Sequence, residues 1–167
     1  MVDLSPYKIS GSPAKMTADN FKRFFQAVSS GFSTLDTIVQ EWIQSGSGIA
    51  FTPSVNVSEG GRCTATVWNS NLSGIKTELD ELVKSNGYYS SASSELKSKI
   101  TAIGGLAGKS ANDEISQTQW NTLIDNLQAV LSACETYFSQ QRDIAVEART
   151  YWHFGDAMPI KLAASAS

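Results

Sequence analysis

From residue 116 to residue 152 the chain carries its longest run of helical patterning. Leu123, Leu127, Val130, Cys134, Tyr137, Gln141, Ile144, Ala148 and Tyr151 recur at alternating steps of four and three, with Gln141 the one polar member. Such steps line side chains along one side of an α-helix, and sustained over several heptads they describe a coiled-coil-like seam. The start is marked as clearly. Ser116-Gln117-Thr118-Gln119 reads as a capping box, the Ser116 hydroxyl accepting from the Gln119 amide while the Gln119 side chain accepts from the Ser116 amide. Ile115 and Trp120 stand where a hydrophobic staple would. A helix over 117–152 would be about 54 Å long, which needs partners of similar length to bury it.

Three shorter runs precede it. Thr17 caps a helix over 18–45, in which Phe21, Phe25, Val28, Phe32, Leu35, Val39 and Trp42 form the seam, Phe24, Ile38 and Ile43 widen it, and Gly46 and Gly48 stop it. Trp68, Leu72, Ile75, Leu79 and Leu82 mark a helix over 61–85, closed by Asn86-Gly87. Leu96, Ile100 and Ile103 mark a shorter one over 91–107. The turn at 86–90 is short enough to force its two helices antiparallel. The pattern predicts an all-α fold: an up-down-up-down four-helix bundle with heptad-patterned helices, occupying residues 17–154.

Three segments stand outside the seams. Residues 1–16, with Pro6, Gly11, Pro13 and the single apolar residues Val2, Leu4, Tyr7 and Ile9, read as an extended arm. Between 45 and 61, Ile49, Phe51, Val55 and Val57 alternate with small or polar residues around Pro53, a pattern of short strands or of an extended loop. That connection is long for a bundle, and either carries function or climbs the bundle's side. His153-Phe154-Gly155-Asp156 is expected to break the last helix, leaving 155–167 as a tail in which Ile160 and Leu162 either fold back on the bundle end or meet another surface.

Composition changes the picture of the surface. Charged residues make up 17% of the chain against about 25% in typical soluble proteins, and 24 serines and 12 threonines fill the gap. Hydroxyl-rich surfaces repel one another weakly and lose little side-chain entropy on contact, which suits close packing between subunits. A net charge of −3 with no basic patch excludes a phosphate-tracking surface, so no nucleic-acid partner is expected. Neither a signal-like N-terminus nor an apolar run of spanning length is seen, so no membrane partner is expected either.

The search for chemistry finds little. His153 is the sole histidine, and the residue three before it is Thr150, so the Glu-x-x-His spacing of a di-metal bundle is missing. The run Gly104-Gly105-Leu106-Ala107-Gly108-Lys109-Ser110 ends like a phosphate loop but lacks its spacing and the preceding strand. Cys63 and Cys134 are far apart in sequence, and Cys134 falls on the seam, where a free thiol acts as a small hydrophobe. No catalytic residue, metal ligand or cofactor site is expected.

Two functional readings follow. In the first, the chain is a non-enzymatic structural subunit of a larger assembly, such as a bacteriophage virion's tail, neck or capsid-associated layer, with homo-oligomeric or virion neighbours as partners. The apolar residues outside the seams, Leu4, Tyr7, Ile9, Ile49, Phe51, Val55, Val57, Ile160 and Leu162, are then its interface. In the second, the chain is a monomeric helical module, secreted or sensory, whose aromatic-lined bundle holds a small molecule or a partner helix.

Overall fold

The computed structural model describes residues 1–11 and 16–157, with side chains as far as residue 150. The fold is all-helical: a short 3-10 turn at Ser5–Tyr7, then α1 (Ala18–Ile43), α2 (Ala65–Val83), α3 (Ser94–Gly104) and α4 (Gln117–Ala157). Among the described residues there is no strand, and 44–64 is extended coil fastened to helices.

Each helix begins where a hydroxyl can take up an orphan amide. Thr17 accepts from Asn20, Thr64 from Val67 and Ser93 from Leu96, and the capping box forms in both directions, Gln119 N donating to Ser116 Oγ at 3.1 Å and Ser116 N to Gln119 Oε1 at 2.9 Å. Several ends differ from expectation: α2 begins at Ala65, which Thr64 caps, and not at 61, and α3 fills only Ser94–Gly104 of the expected 91–107. α1 stops at Ile43 because Gln44 itself takes the left-handed conformation, φ 57°, before any glycine is reached. α4 continues through His153-Phe154-Gly155-Asp156 to Ala157, since a single glycine in a helix costs only about 1 kcal/mol.

The expected seams of α1, α2 and α3 are buried almost residue for residue. On α4 the buried residues are Trp120, Leu123, Ile124, Leu127, Val130, Leu131, Cys134 and Phe138. Trp120 and Leu131, Leu123 and Cys134, and Leu127 and Phe138 are each eleven positions apart, the repeat of a straight helix at about 3.67 residues per turn. A strict seven-residue seam drifts by about 20° per heptad against such a helix. By the fourth turn the core position has therefore passed from Tyr137 to Phe138, and Ile144, the next apolar residue of the seam, faces water.

The helix directions follow from which residues meet. Phe24 lies 4.7 Å, ring to ring, from Trp120, a Cβ on Gly31 would sit 3.1 Å from Leu131, and Arg142 pairs with Glu41 at 3.2 Å, so α1 and α4 run the same way. Trp68 neighbours Phe25 and Trp120, and Tyr88, just beyond α2, neighbours Trp42 and Phe138, so α2 runs with them. Only α3 is reversed: the Trp68 indole donates to Leu106 O at 2.8 Å, pairing the start of α2 with the end of α3. The order is up, up, down, up, in place of the expected alternation. The 44–64 connection makes this possible by travelling back along the whole bundle. Tyr88 Oη donates to Ser47 O, Ala50 N reaches Glu78, and Ser54 exchanges two backbone hydrogen bonds with the amide of Asn71, at 2.7 and 2.9 Å. Asn71 is the one buried polar residue of the described core, and both ends of its amide are used. Phe51 wedges between α1 and α2, against Phe32 on one side and Gly74 on the other, where its ring would lie 3.3 Å from an added Cβ.

Candidate functional site

Most of the expected interface residues are covered by this chain's own helices. Leu4 is fully buried, Tyr7 and Ile9 are half-buried against the core, and Ile49, Phe51 and Val57 are buried where the connection crosses α1 and α2. Val55 stays half-exposed. The physical reason is the parallel pairing: helices running the same way need long returns, and those returns fill the grooves that short hairpin turns would leave empty. Ile160 and Leu162 lie outside the described residues.

The arm is held by a ladder that the apolar pattern does not report. It runs antiparallel to α4, and α4 presents polar side chains at helical spacing to receive its backbone. Gln128 accepts from Leu4 N at 2.6 Å and donates to Val2 O at 2.9 Å. Asn121 accepts from Ile9 N and, with Gln117, donates to Ile9 O. The Trp120 indole donates to Tyr7 O, and Lys8 pairs with Asp125 at 2.6 Å. Gln117, Asn121 and Gln128 were legible as amides spaced by four and seven, and that spacing is the signal a search for apolar seams passes over.

Because α1, α2 and α4 start at the same end, their first turns enclose a cleft of about 620 Å³. Its floor is Phe21, Trp68 and Trp120, and its apolar walls include Ile9, Met16, Ala65 and Ile115. Both indole N–H groups beneath it are already spent on backbone carbonyls, so the floor offers aromatic surface and no free donor. The rim is polar: Arg62 and Cys63 lead into α2, and the loop from Lys109 to Glu114 closes the other side, turned by positive φ at Gly108 and Asn112. Asp113 accepts from Ser110 N at 2.7 Å, which stiffens this loop. Among the described residues Arg62, Lys109 and Glu114 form no ion pair. Cys63 is an exposed thiol on the lip, but the surrounding wall pushes its pKa up by desolvation, the opposite of what a nucleophile needs. Burial pushes Cys134 up to about 12, which makes it an inert core group.

At the other end α4 outruns its partners. It has 41 residues against 26 in α1, whose last turn lies beside Phe138 and Arg142. Arg149 reaches back to donate to the carbonyls of Glu41 and Trp42 at 2.8 and 2.9 Å, placing a cation at the negative end of α1. From Asp143 to Thr150 every residue except Ala145 is exposed. Ile144 and Val146 are 61% and 45% exposed, the most open large apolar residues of the described chain after Met1.

Among the described residues no group of three or more His, Cys, Asp or Glu side chains converges to hold a metal ion, and no helix is long and apolar enough to cross a membrane. The side chain of His153 lies outside those described. No protein-family model, curated protein or solved structure matches the chain.

Proposed function

We propose that this chain is a non-enzymatic structural subunit of a larger protein assembly, of the class that builds the tail, neck or capsid-associated layers of a bacteriophage particle. The observation that carries the reading is the α4 overhang, a helix continued past its bundle with Ile144 and Val146 in water. Large apolar side chains held in water on an ordered helix cost chain entropy without return unless a neighbour covers them. The low share of charged residues and the hydroxyl-rich surface support the same reading, because adjacent copies then meet with little repulsion. Along the overhang the heptad positions Gln141, Ile144 and Ala148 supply a seam for a neighbouring subunit, with Gln141 as a polar position that sets register.

The experiment is sedimentation velocity over a hundredfold concentration range on the native chain and on the Ile144→Asp/Val146→Asp variant. The reading expects assembly in the native chain and a shift toward monomer in the variant at an unchanged melting temperature. A native chain that is monomeric throughout overturns it. The aromatic-floored cleft favours the second reading, a monomeric module that holds a small molecule, and that reading predicts the monomer.

A further inference from the structure

We propose that the segment following α4, Met158 to Leu162, docks into the cleft at the start of α1, α2 and α4 on a neighbouring copy, joining subunits head to tail. This deepens the assembly reading and rests on it.

The cleft and the segment sit at opposite ends of one helix. From Trp120 on the cleft floor to Ala157 at the end of α4, the helix covers about 56 Å at 1.5 Å per residue. The five residues from Ala157 to Leu162 reach at most about 17 Å fully extended, and the ten after Ala157 about 35 Å. No chain can place Ile160 or Leu162 in its own cleft, so this segment reaches a cleft only on another copy.

The chemistries match. Trp68, Phe21 and Ile115 offer apolar surface without a free hydrogen-bond donor beneath it, which suits aliphatic side chains. Docked in extended form, Met158, Ile160 and Leu162 would share one side, and Lys161 would point to the other. Lys161 then comes to a rim of mixed charge, on which Glu114 makes no ion pair among the described residues and can take it, while Arg62 and Lys109 carry the opposite sign. Pro159 disfavours helix at Met158, which suits docking in extended form. A contact between two different patches is heterologous, so it propagates into a ring or an open stack and does not stop at a symmetric pair.

The test separates the two halves of the contact in full-length chains. Ile160→Asp/Leu162→Asp destroys the segment and leaves the cleft, while Ala111→Trp, on the exposed lip, fills the cleft and leaves the segment. Each variant alone is expected to associate about thirty-fold more weakly than the native chain, as loss of a central apolar anchor implies, with an unchanged melting temperature. Mixed one to one, they have one working cleft and one working segment between them, so the docking contact should join them in pairs and propagate no further. In the native assembly, alkylation of Cys63 on the lip should slow relative to either variant alone. Native-like assembly by either variant, or no dimer on mixing, overturns the docking and leaves the assembly reading standing. A native chain that never associates overturns both.

Discussion

Replacing Gln128 by alanine should release the N-terminal arm while leaving the bundle folded. Gln128 is the arm's central clasp, accepting from Leu4 N at 2.6 Å and donating to Val2 O at 2.9 Å and to Ser132 Oγ at 3.0 Å. Leu4 is fully buried, so without the glutamine its amide keeps its enclosure and loses its acceptor, at a cost of about 1–3 kcal/mol. Val2 O and Ser132 can recover water and add little. At 1.4 kcal/mol per factor of ten, amide exchange at residues 2–9 should accelerate about ten- to a hundred-fold. Amides deep in α1 and α2, such as Phe32 and Leu72, should exchange as before, because the arm can lift without opening the core. Gln128→Glu separates the two bonds: it can still accept from Leu4 N but repels Val2 O, so its effect should be partial. Hydrogen exchange followed by mass spectrometry measures all three chains. Unchanged exchange of the arm in Gln128→Ala, or an equal acceleration at Phe32 and Leu72, would refute the reasoning.

Two further perturbations probe the core. Leu127→Ala should cost about 2–5 kcal/mol in urea unfolding, since Leu127 is fully buried at mid-bundle, whereas Ile144→Ala on the same nominal seam should cost little in the isolated chain. Equal losses would show that the seven-residue seam holds after all. Cys134 predicts a loss of stability in alkali. The native thiol, with its pKa near 12, keeps its proton where the unfolded thiol, near 9.0, has lost it, so the stabilisation is complete below pH 9 and falls as pH rises toward 12. At pH 10.5 the loss is about 2 kcal/mol, and comparison with Cys134→Val, which has no thiol to titrate, should reveal it; parallel pH profiles for the two proteins would contradict it.

The helices were legible in the sequence because their signals are local. Thr17 and the Ser116–Gln119 box announce helix starts through short-range bonding, and the apolar residues of α1 to α3 report a buried side through spacing alone. What was illegible depends on distance. The length of the 44–64 connection was visible, but nothing local distinguishes a loop that returns along the bundle from one that turns at its end. The difference lies in Ser54 meeting Asn71 and Phe51 meeting Gly74, which are contacts between segments. The same holds for the arm: Leu4, Tyr7 and Ile9 read as apolar residues needing cover, yet their cover is α4, reached through Gln117, Asn121 and Gln128, whose amides look like ordinary surface until the arm lies on them. The cleft was hidden for a related reason. Its floor of Phe21, Trp68 and Trp120 comes from three helices that meet only once their starts are at the same end.

On the proposed reading another copy of the chain meets both the overhang of α4 and the cleft at its far end, and sedimentation velocity of the native protein tests whether one does. The account predicts association that grows with concentration and passes beyond dimer. A single species of monomer mass across a hundredfold range of concentration would contradict it.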